Sequence, residues 1–404
     1  MTQQIAILGA TGSIGTSTLD ILNKHKDKFS VYALSGFSRL DRLFELCQQF
    51  LPKRVAVAQK EVDAFTTRLQ DAGLKIEVVG GQTGLKDIAS DSQVDTVVAS
   101  IVGSAGLEST LAAAQAGKRI LLANKEALVM AGELMMSAAR HANATLLPVD
   151  SEHNAIFQSL PQAVQQHSEN IHNIDYGIRQ LWLTASGGPF LHSDFKQMQM
   201  ATVEQAVAHP NWSMGQKISV DSATMMNKGL ELIEACHLFN LPEDKIKVVM
   251  HPQSIIHSLV EYVDGSILSQ MGSPDMRTPI AHCLAYPQRI ESGVQRLDLY
   301  KMSQLEFLEP DLQKFACLRL ARQAMQAGSW ANISLNASNE VAVDAFLQKQ
   351  IRLTDIANIN ELVLEAMSTN ANSANTINSL QQILLVDGSA RQAAQMAINR
   401  LSLK

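Results

Sequence analysis

The stretch Ser222-Ala-Thr-Met-Met-Asn227-Lys228-Gly-Leu-Glu231 sets an amide, an ammonium and a carboxylate close together. On a helix, positions 227 and 231 are four apart and 228 and 231 three apart, so these side chains share one face. Such a face can grip a phosphate through Asn227 and Lys228 and a metal ion through Glu231. It can equally be a solvated surface closed by a Lys–Glu ion pair, and Glu234, one turn on, reads as such a surface residue. A second acidic group lies in Pro148-Val149-Asp150-Ser151-Glu152-His153. If the chain stays extended past the strand expected there, Asp150 and Glu152 project to the same side. Paired carboxylate oxygens suit a hard divalent cation. Two acids at a strand end are also common on solvated surfaces, but the carboxyl end of a strand in an open α/β sheet is where ligands bind.

Gly9-Ala10-Thr11-Gly12-Ser13-Ile14-Gly15 is a GxxGxxG turn between an expected strand and an expected helix. Glycines there let backbone N–H groups approach a pyrophosphate at the helix N-terminus, so a dinucleotide is favoured over an empty turn. The second strand ends in Ser35-Gly36-Phe37-Ser38-Arg39, without the Asp or Glu that holds the ribose hydroxyls of NAD. Arg39 and Arg42 are near enough to welcome a 2′-phosphate, although Arg39 also reads as an ordinary surface charge. NADPH is therefore preferred over NADH. Ser186-Gly187-Gly188 offers a hydroxyl and backbone N–H groups to a phosphate. His209-Pro-Asn-Trp212-Ser-Met214-Gly215 reads as a loop whose Trp and Met either cover a ligand or tuck against the core. His153, His251 and His257 have no discriminating spacing, and His257, inside an expected strand, reads as structural.

These residues must be positioned by elements that the chain announces in its alternation of patterns. Over residues 4–150, strands are expected at Ile5–Leu8, Val31–Ser35, Arg54–Ala58, Thr96–Ala99, Ile120–Leu122 and Thr145–Val149. Helical stretches such as Thr16–Lys24 and Leu107–Ala116 lie between them, the latter closed by Gly117. This βαβ rhythm predicts a doubly wound, Rossmann-like parallel sheet over 1–150. From 151 to 290 the pattern predicts a mixed α+β second domain with an antiparallel portion. It contains a strand at 181–186, a helix at 228–239 and a hairpin joining IIHSLVEYV to SILSQM through Asp264-Gly265. Residues 291–311 read as a connecting segment. A C-terminal helical bundle is expected over 312–404, with helices near 312–327, 337–349, 355–367 and 389–402. Gly328 and Gly388 would lie between helices, with Asp355 and Ser389 as caps.

Composition narrows the field. A chain of 404 residues exceeds one hydrophobic core. Its 46% hydrophobic content is that of a globular protein, and 18% charged residues suggests surface buried between domains or subunits. A net charge of −6 gives no general attraction to nucleic acid or an anionic membrane, so a phosphate-bearing ligand needs a local site. Cys47, Cys236, Cys283 and Cys317 form neither a CxxC pair nor a disulfide framework, which fits a reducing compartment. The N-terminus lacks the basic region of a signal peptide. The most apolar stretch, Ile120 to Met136, is broken by Asn124, Lys125, Glu126 and Glu133. The expectation is a cytoplasmic protein without membrane or nucleic-acid partners.

Taken in order, GATGSIG, Ala123-Asn124-Lys125-Glu126-Ala127, PVDSEHNA, TASGGPF, HPNWSMG, DSATMMNKGLE and SPDMRTPIAH resemble the 1-deoxy-D-xylulose 5-phosphate reductoisomerases, from about residue 4 to 400. The resemblance implies that Asp150, Glu152 and Glu231 bind Mg²⁺, Mn²⁺ or Co²⁺. It implies that Ser186, Ser222, Asn227 and Lys228 hold a phosphate, and that Lys125, Ser151, Glu152 and His209 contact the sugar. NADPH would lie along Thr11, Gly12, Ser13 and Ile14, with Gly36, Phe37, Ser38, Asn124, Glu126 and Gly215 completing its site. The loop bearing Trp212 and Met214 would close over the substrate, and the chain would form a homodimer. The implied reaction is a metal-assisted retro-aldol/aldol rearrangement followed by hydride reduction. Glu152 is the expected base, with Lys125 and a metal-bound water as alternatives. The main rival is a metal-independent semialdehyde-type NADP dehydrogenase, whose acylating versions need a cysteine nucleophile beside a base.

Overall fold

A computed structural model describes residues 2–212, 214–302, 304–371 and 377–402. The chain divides into two compact units. The first comprises Met1–Ala127, Met135–Ser151 and Met276–Val294; the second comprises Leu128–Leu134, Glu152–Asp275 and Gln295–Lys404.

The first unit is built on seven strands: β1 (Gln3–Leu8), β2 (Phe29–Ser35), β3 (Arg54–Val57), β4 (Glu77–Gly80), β5 (Thr96–Ala99), β6 (Arg119–Leu122) and β7 (Thr145–Pro148). They pair in the order β4-β3-β2-β1-β5-β6-β7, with every neighbouring pair parallel. Ile5, Ala6 and Ile7 are completely buried on consecutive positions, as a strand covered on both faces requires. Helices Ser13–Lys24, Leu40–Phe50, Val62–Asp71, Gly81–Ser90, Leu107–Gln115 and Lys125–Ala142 supply the crossovers. Strand order reverses at β1, which has β2 on one side and β5 on the other. The crevice at the carboxyl ends of β1 and β5 is therefore the ligand position of this sheet. The expected strands appear with ends shifted by no more than two residues. β4 was not expected: it is a short edge strand whose charged start and half-buried residues show no alternation.

The second unit holds a four-stranded sheet of β8 (Ile178–Ala185), β9 (Ile246–Met250), β10 (Ile256–Tyr262) and β11 (Ile267–Met271). Its order is β11-β10-β8-β9, antiparallel except for the β8–β9 pair. The Asp264-Gly265 hairpin is present, with Gly265 at φ 87° and the Asp264 carboxylate accepting from the Ser266 amide at 2.9 Å. Helices Gln216–Ala223 and Met226–Leu238 carry much of the polar cluster described below.

Four long helices follow, Ala316–Ala327, Ser329–Leu347, Asp355–Ala371 and Leu380–Ser402. Gly328, at φ 104°, separates the first two as expected. Two expectations need correction. The second helix begins at Ser329 and not near 337, because Asn332, Ser334, Asn336, Ser338 and Asn339 face the core and hide its apolar stripe. Gly388 and Ser389 lie inside the last helix, where Ser389 caps nothing and its hydroxyl donates to the Leu385 carbonyl at 3.0 Å. Among the described residues no helix is long and apolar enough to cross a membrane.

Candidate active site: two carboxylates around a buried lysine

In the second unit, the Met226–Leu238 helix places Asn227, Lys228 and Glu231 on one face. Asn227 Nδ2 and Lys228 Nζ donate to the two oxygens of the Glu231 carboxylate. Lys228 Nζ also donates to Glu152 Oε1 at 2.7 Å. Lys228 is 3% exposed and Glu231 1%, so this face is not a solvated surface pair. Charges buried this far must be paired and hydrogen-bonded, and one ammonium shared by two carboxylates meets that demand.

Glu152 reaches the cluster from the first turn of the helix Ser151–Ser159. The extended run expected through Asp150 and Glu152 is therefore corrected. The Val149 amide makes one more sheet bond, to the Leu122 carbonyl at 2.9 Å, and the chain then turns into a helix. An acidic side chain in that first turn is favoured by the helix dipole. Glu234 is corrected as well. It is 1% exposed, and its Oε2 lies 3.1 Å from Nδ1 of the fully buried His153. The apolar neighbours Leu232, Ile233 and Ala235 were the available sequence signal that this helix is buried all round.

A second polar group in the same unit gathers at the end of β8. His209 Nδ1 accepts from the amides of Asn211 at 3.2 Å and Trp212 at 3.0 Å, so the proton of the neutral ring is on Nε2. That Nε2 lies 2.8 Å from Ser186 Oγ and donates to it. Burial also holds the His209 pKa below its ordinary value, which favours the neutral ring. The Gly188 amide donates to the same Ser186 oxygen at 3.2 Å, so the hydroxyl proton of Ser186 is directed elsewhere. Ser222 is adjacent: a Cβ on Gly188 would lie 2.9 Å from its carbonyl oxygen. Trp212 is half-buried, its ring 6.0 Å from that of His257, and His257 Nδ1 is bound to Gln270 Oε1 at 2.8 Å. Asn211 Nδ2 reaches the Pro252 carbonyl at 2.6 Å and fixes the start of the loop. Ser213, within the expected loop, lies outside the described residues.

In the first unit, the Asp150 carboxylate pairs with Lys125, the first residue of its helix. Asn124 caps that helix, its side-chain oxygen accepting from the Ala127 amide at 3.1 Å while Nδ2 donates to the Gly103 carbonyl at 3.0 Å. Glu126 is buried. At the switch point, Gly9 has φ 90°, and a Cβ there would meet the Ser100 carbonyl at 2.8 Å. A Cβ on Gly15 would lie 2.6 Å from Ala10 Cα. Gly12 caps the Ser13–Lys24 helix without a side-chain bond to its first amides. Those amides are the donors an anion uses. Beyond β2, Phe37, Ser38 and Arg39 are exposed, and Arg42 pairs with Glu45 at 2.7 Å.

A doubly wound sheet with a glycine-rich first βα turn, and a separate unit with two carboxylates around a buried lysine, define a dinucleotide-dependent enzyme acting on an anionic substrate. Family models narrow this class. The model for 1-deoxy-D-xylulose 5-phosphate reductoisomerase matches residues 5–132, and those for its C-terminal domains match 146–239 and 271–393. The 1-deoxy-D-xylulose 5-phosphate reductoisomerase of Psychrobacter cryohalolentis is 67% identical over 401 residues, covering 99% of each chain. That of Acinetobacter baumannii is 56% identical over 402 residues, covering 99% of this chain and all of the relative. Among solved structures, a DOX-P reductoisomerase in complex with NADPH, fosmidomycin and magnesium superposes with a TM-score of 0.97 at 56% identity over 99% of each chain. The Zymomonas mobilis enzyme in complex with NADPH gives 0.88 at 44% identity, covering 98% of this chain and 99% of its own. The chain belongs to the 1-deoxy-D-xylulose 5-phosphate reductoisomerase family.

Proposed function

We infer that the chain converts 1-deoxy-D-xylulose 5-phosphate to 2-C-methyl-D-erythritol 4-phosphate with NADPH, a step in isoprenoid precursor synthesis. The observation that carries this reading is Lys228, buried between the carboxylates of Glu152 and Glu231. Hard oxygen donors already gathered around one positive charge fit a divalent cation. Asp150, two residues before Glu152, would complete the set. The bound ion, Mg²⁺, Mn²⁺ or Co²⁺, supplies Lewis-acid polarisation of the substrate oxygens.

The phosphate is assigned to Ser186, Ser222, Asn227 and Lys228. Ser186 supports this assignment, because its oxygen already accepts from His209 and Gly188 and its own proton is left for an anion. Lys125, Ser151, Glu152 and His209 would orient the sugar, with Glu152 taking the proton of the C4 hydroxyl as the C3–C4 bond breaks. The two fragments must stay in register until they rejoin, so the phosphate anchor keeps one of them in place. Trp212 and Met214 would cover the site and exclude water. NADPH, which supplies the hydride for the final reduction, is assigned to Thr11, Gly12, Ser13 and Ile14. Gly36, Phe37, Ser38, Asn124, Glu126 and Gly215 complete its site.

The functional division follows as 1–150 for NADPH, 151–290 for catalysis, 291–311 as connection and 312–404 as helical bundle. A cytoplasmic homodimer is part of the same reading. The outer strand β11 supports self-association, since its exposed Ile267, Leu268 and Met271 form an apolar sheet edge that soluble proteins cover. The semialdehyde-type alternative is disfavoured by the cysteines. All four are buried, and burial pushes the thiols of Cys47, Cys236 and Cys317 up to about 12. The deciding experiment follows nicotinamide absorbance with 1-deoxy-D-xylulose 5-phosphate, with and without Mn²⁺. Oxidation of NADPH is expected only when substrate and metal are both present; equal rates without metal would favour the dehydrogenase.

A further inference from the structure

Glu234 has no part in the chemistry above, yet it is 1% exposed in the middle of the Met226–Leu238 helix. A carboxylate is not left there without compensation. Its neighbour is His153, fully buried, with Nδ1 3.1 Å from Glu234 Oε2. The other ring nitrogen, Nε2, lies 2.8 Å from the main-chain oxygen of Glu231. A carbonyl only accepts, so Nε2 carries a proton and donates it to that bond. The 3.1 Å between Nδ1 and Oε2 is an ion-pair distance, the two atoms facing each other inside the fold. The His153 ring also rests against Phe239, centroids 6.2 Å apart. His153 immediately follows Glu152 in the chain. The line Glu234–His153–Glu231 carbonyl therefore joins the helix that carries Glu152 to the helix that carries Glu231 and Lys228.

We propose that Glu234 is a positioning residue for the cation site. By holding the His153 ring it fixes the Ser151–Ser159 helix against the Met226–Leu238 helix, and so the separation of the Glu152 and Glu231 carboxylates. This inference rests on the cation site proposed above. Groups that orient the ligands of a metal commonly contribute about 10- to 100-fold to its affinity.

The test measures Mn²⁺ binding directly, from the EPR signal of the free ion, on the full chain and its Glu234→Ala, Glu234→Gln and Glu231→Gln variants. NADPH affinity is followed by fluorescence in parallel. Glu234→Ala is expected to weaken Mn²⁺ binding about tenfold or more with NADPH affinity unchanged. Glu234→Gln, whose amide still meets Nδ1, is expected to recover most of that loss. Unaltered Mn²⁺ binding in Glu234→Ala, with Glu231→Gln defective, overturns the positioning role and leaves the cation site standing. Unaltered binding in Glu231→Gln overturns the cation site and this inference with it. An equal loss of NADPH affinity in Glu234→Ala would mark general damage and also overturns the proposal. Should Glu234→Ala not fold, Glu234→Asp, which keeps the charge but shortens its reach, is held to the same outcomes.

Discussion

Lys228 bears opposite demands: it neutralises two carboxylates within the folded chain, and the proposed function asks it to hold a phosphate. Lys228→Ala should therefore raise the substrate KM by about tenfold or more, the loss of one charge-assisted hydrogen bond. NADPH affinity should stay within about twofold, since the cofactor residues lie elsewhere in the sequence. Steady-state kinetics beside a cofactor titration checks this, and an unchanged KM would remove Lys228 from the phosphate site. Helical spacing made the shared face of Asn227, Lys228 and Glu231 legible from the sequence. Burial was legible only indirectly, from the apolar neighbours Leu232, Ile233 and Ala235, because a Glu on a helix looks the same in solvent as beside a histidine in the core. Glu234 was misread for that reason. The Ser186–His209 contact joins residues 23 apart across two short helices, and no periodicity announces it.

At the scale of elements, the glycine-rich turn was the most legible feature, because few backbones need three glycines from the end of a strand into the first turn of a helix. Gly15 is the sharpest case, since a methyl group there would overlap Ala10 backbone atoms at 2.6 Å. Gly15→Ala should displace the start of the Ser13–Lys24 helix and lower NADPH affinity by on the order of tenfold, about 1.4 kcal/mol. Fluorescence titration reads this directly, and an affinity equal to that of the unmodified chain would take the turn out of the cofactor site. Other elements were legible in kind but not in extent. The bundle helix Ser329–Leu347 buries asparagines and serines that pattern reading assigns to solvent. The helix Ser151–Ser159 begins where the chain leaves the last sheet bond, and local sequence did not distinguish that turn from a continued strand.

For the molecule as a whole, buried histidines set a pH dependence of stability. Burial holds His237 at about 4, as it does His282, against an ordinary value of 6.5. Below pH 6.5 the unfolded chain takes up protons at these positions while the folded chain does not. Stability present above 6.5 is thus lost as pH falls toward 4, by about 1.4 kcal/mol per pH unit for each group. Urea midpoints should drop between pH 7 and 5, and His282→Gln should make that slope shallower; an identical slope would show that His282 does not contribute. The four buried cysteines have a consequence of another kind. Peroxide and electrophiles reach thiolates first, and the folded chain presents none of its cysteines to them. Sulfur atoms near solvent belong instead to thioethers such as Met200 and Met396. Oxidative stress on this protein would be written as methionine sulfoxide, a lesion that cellular reductases reverse.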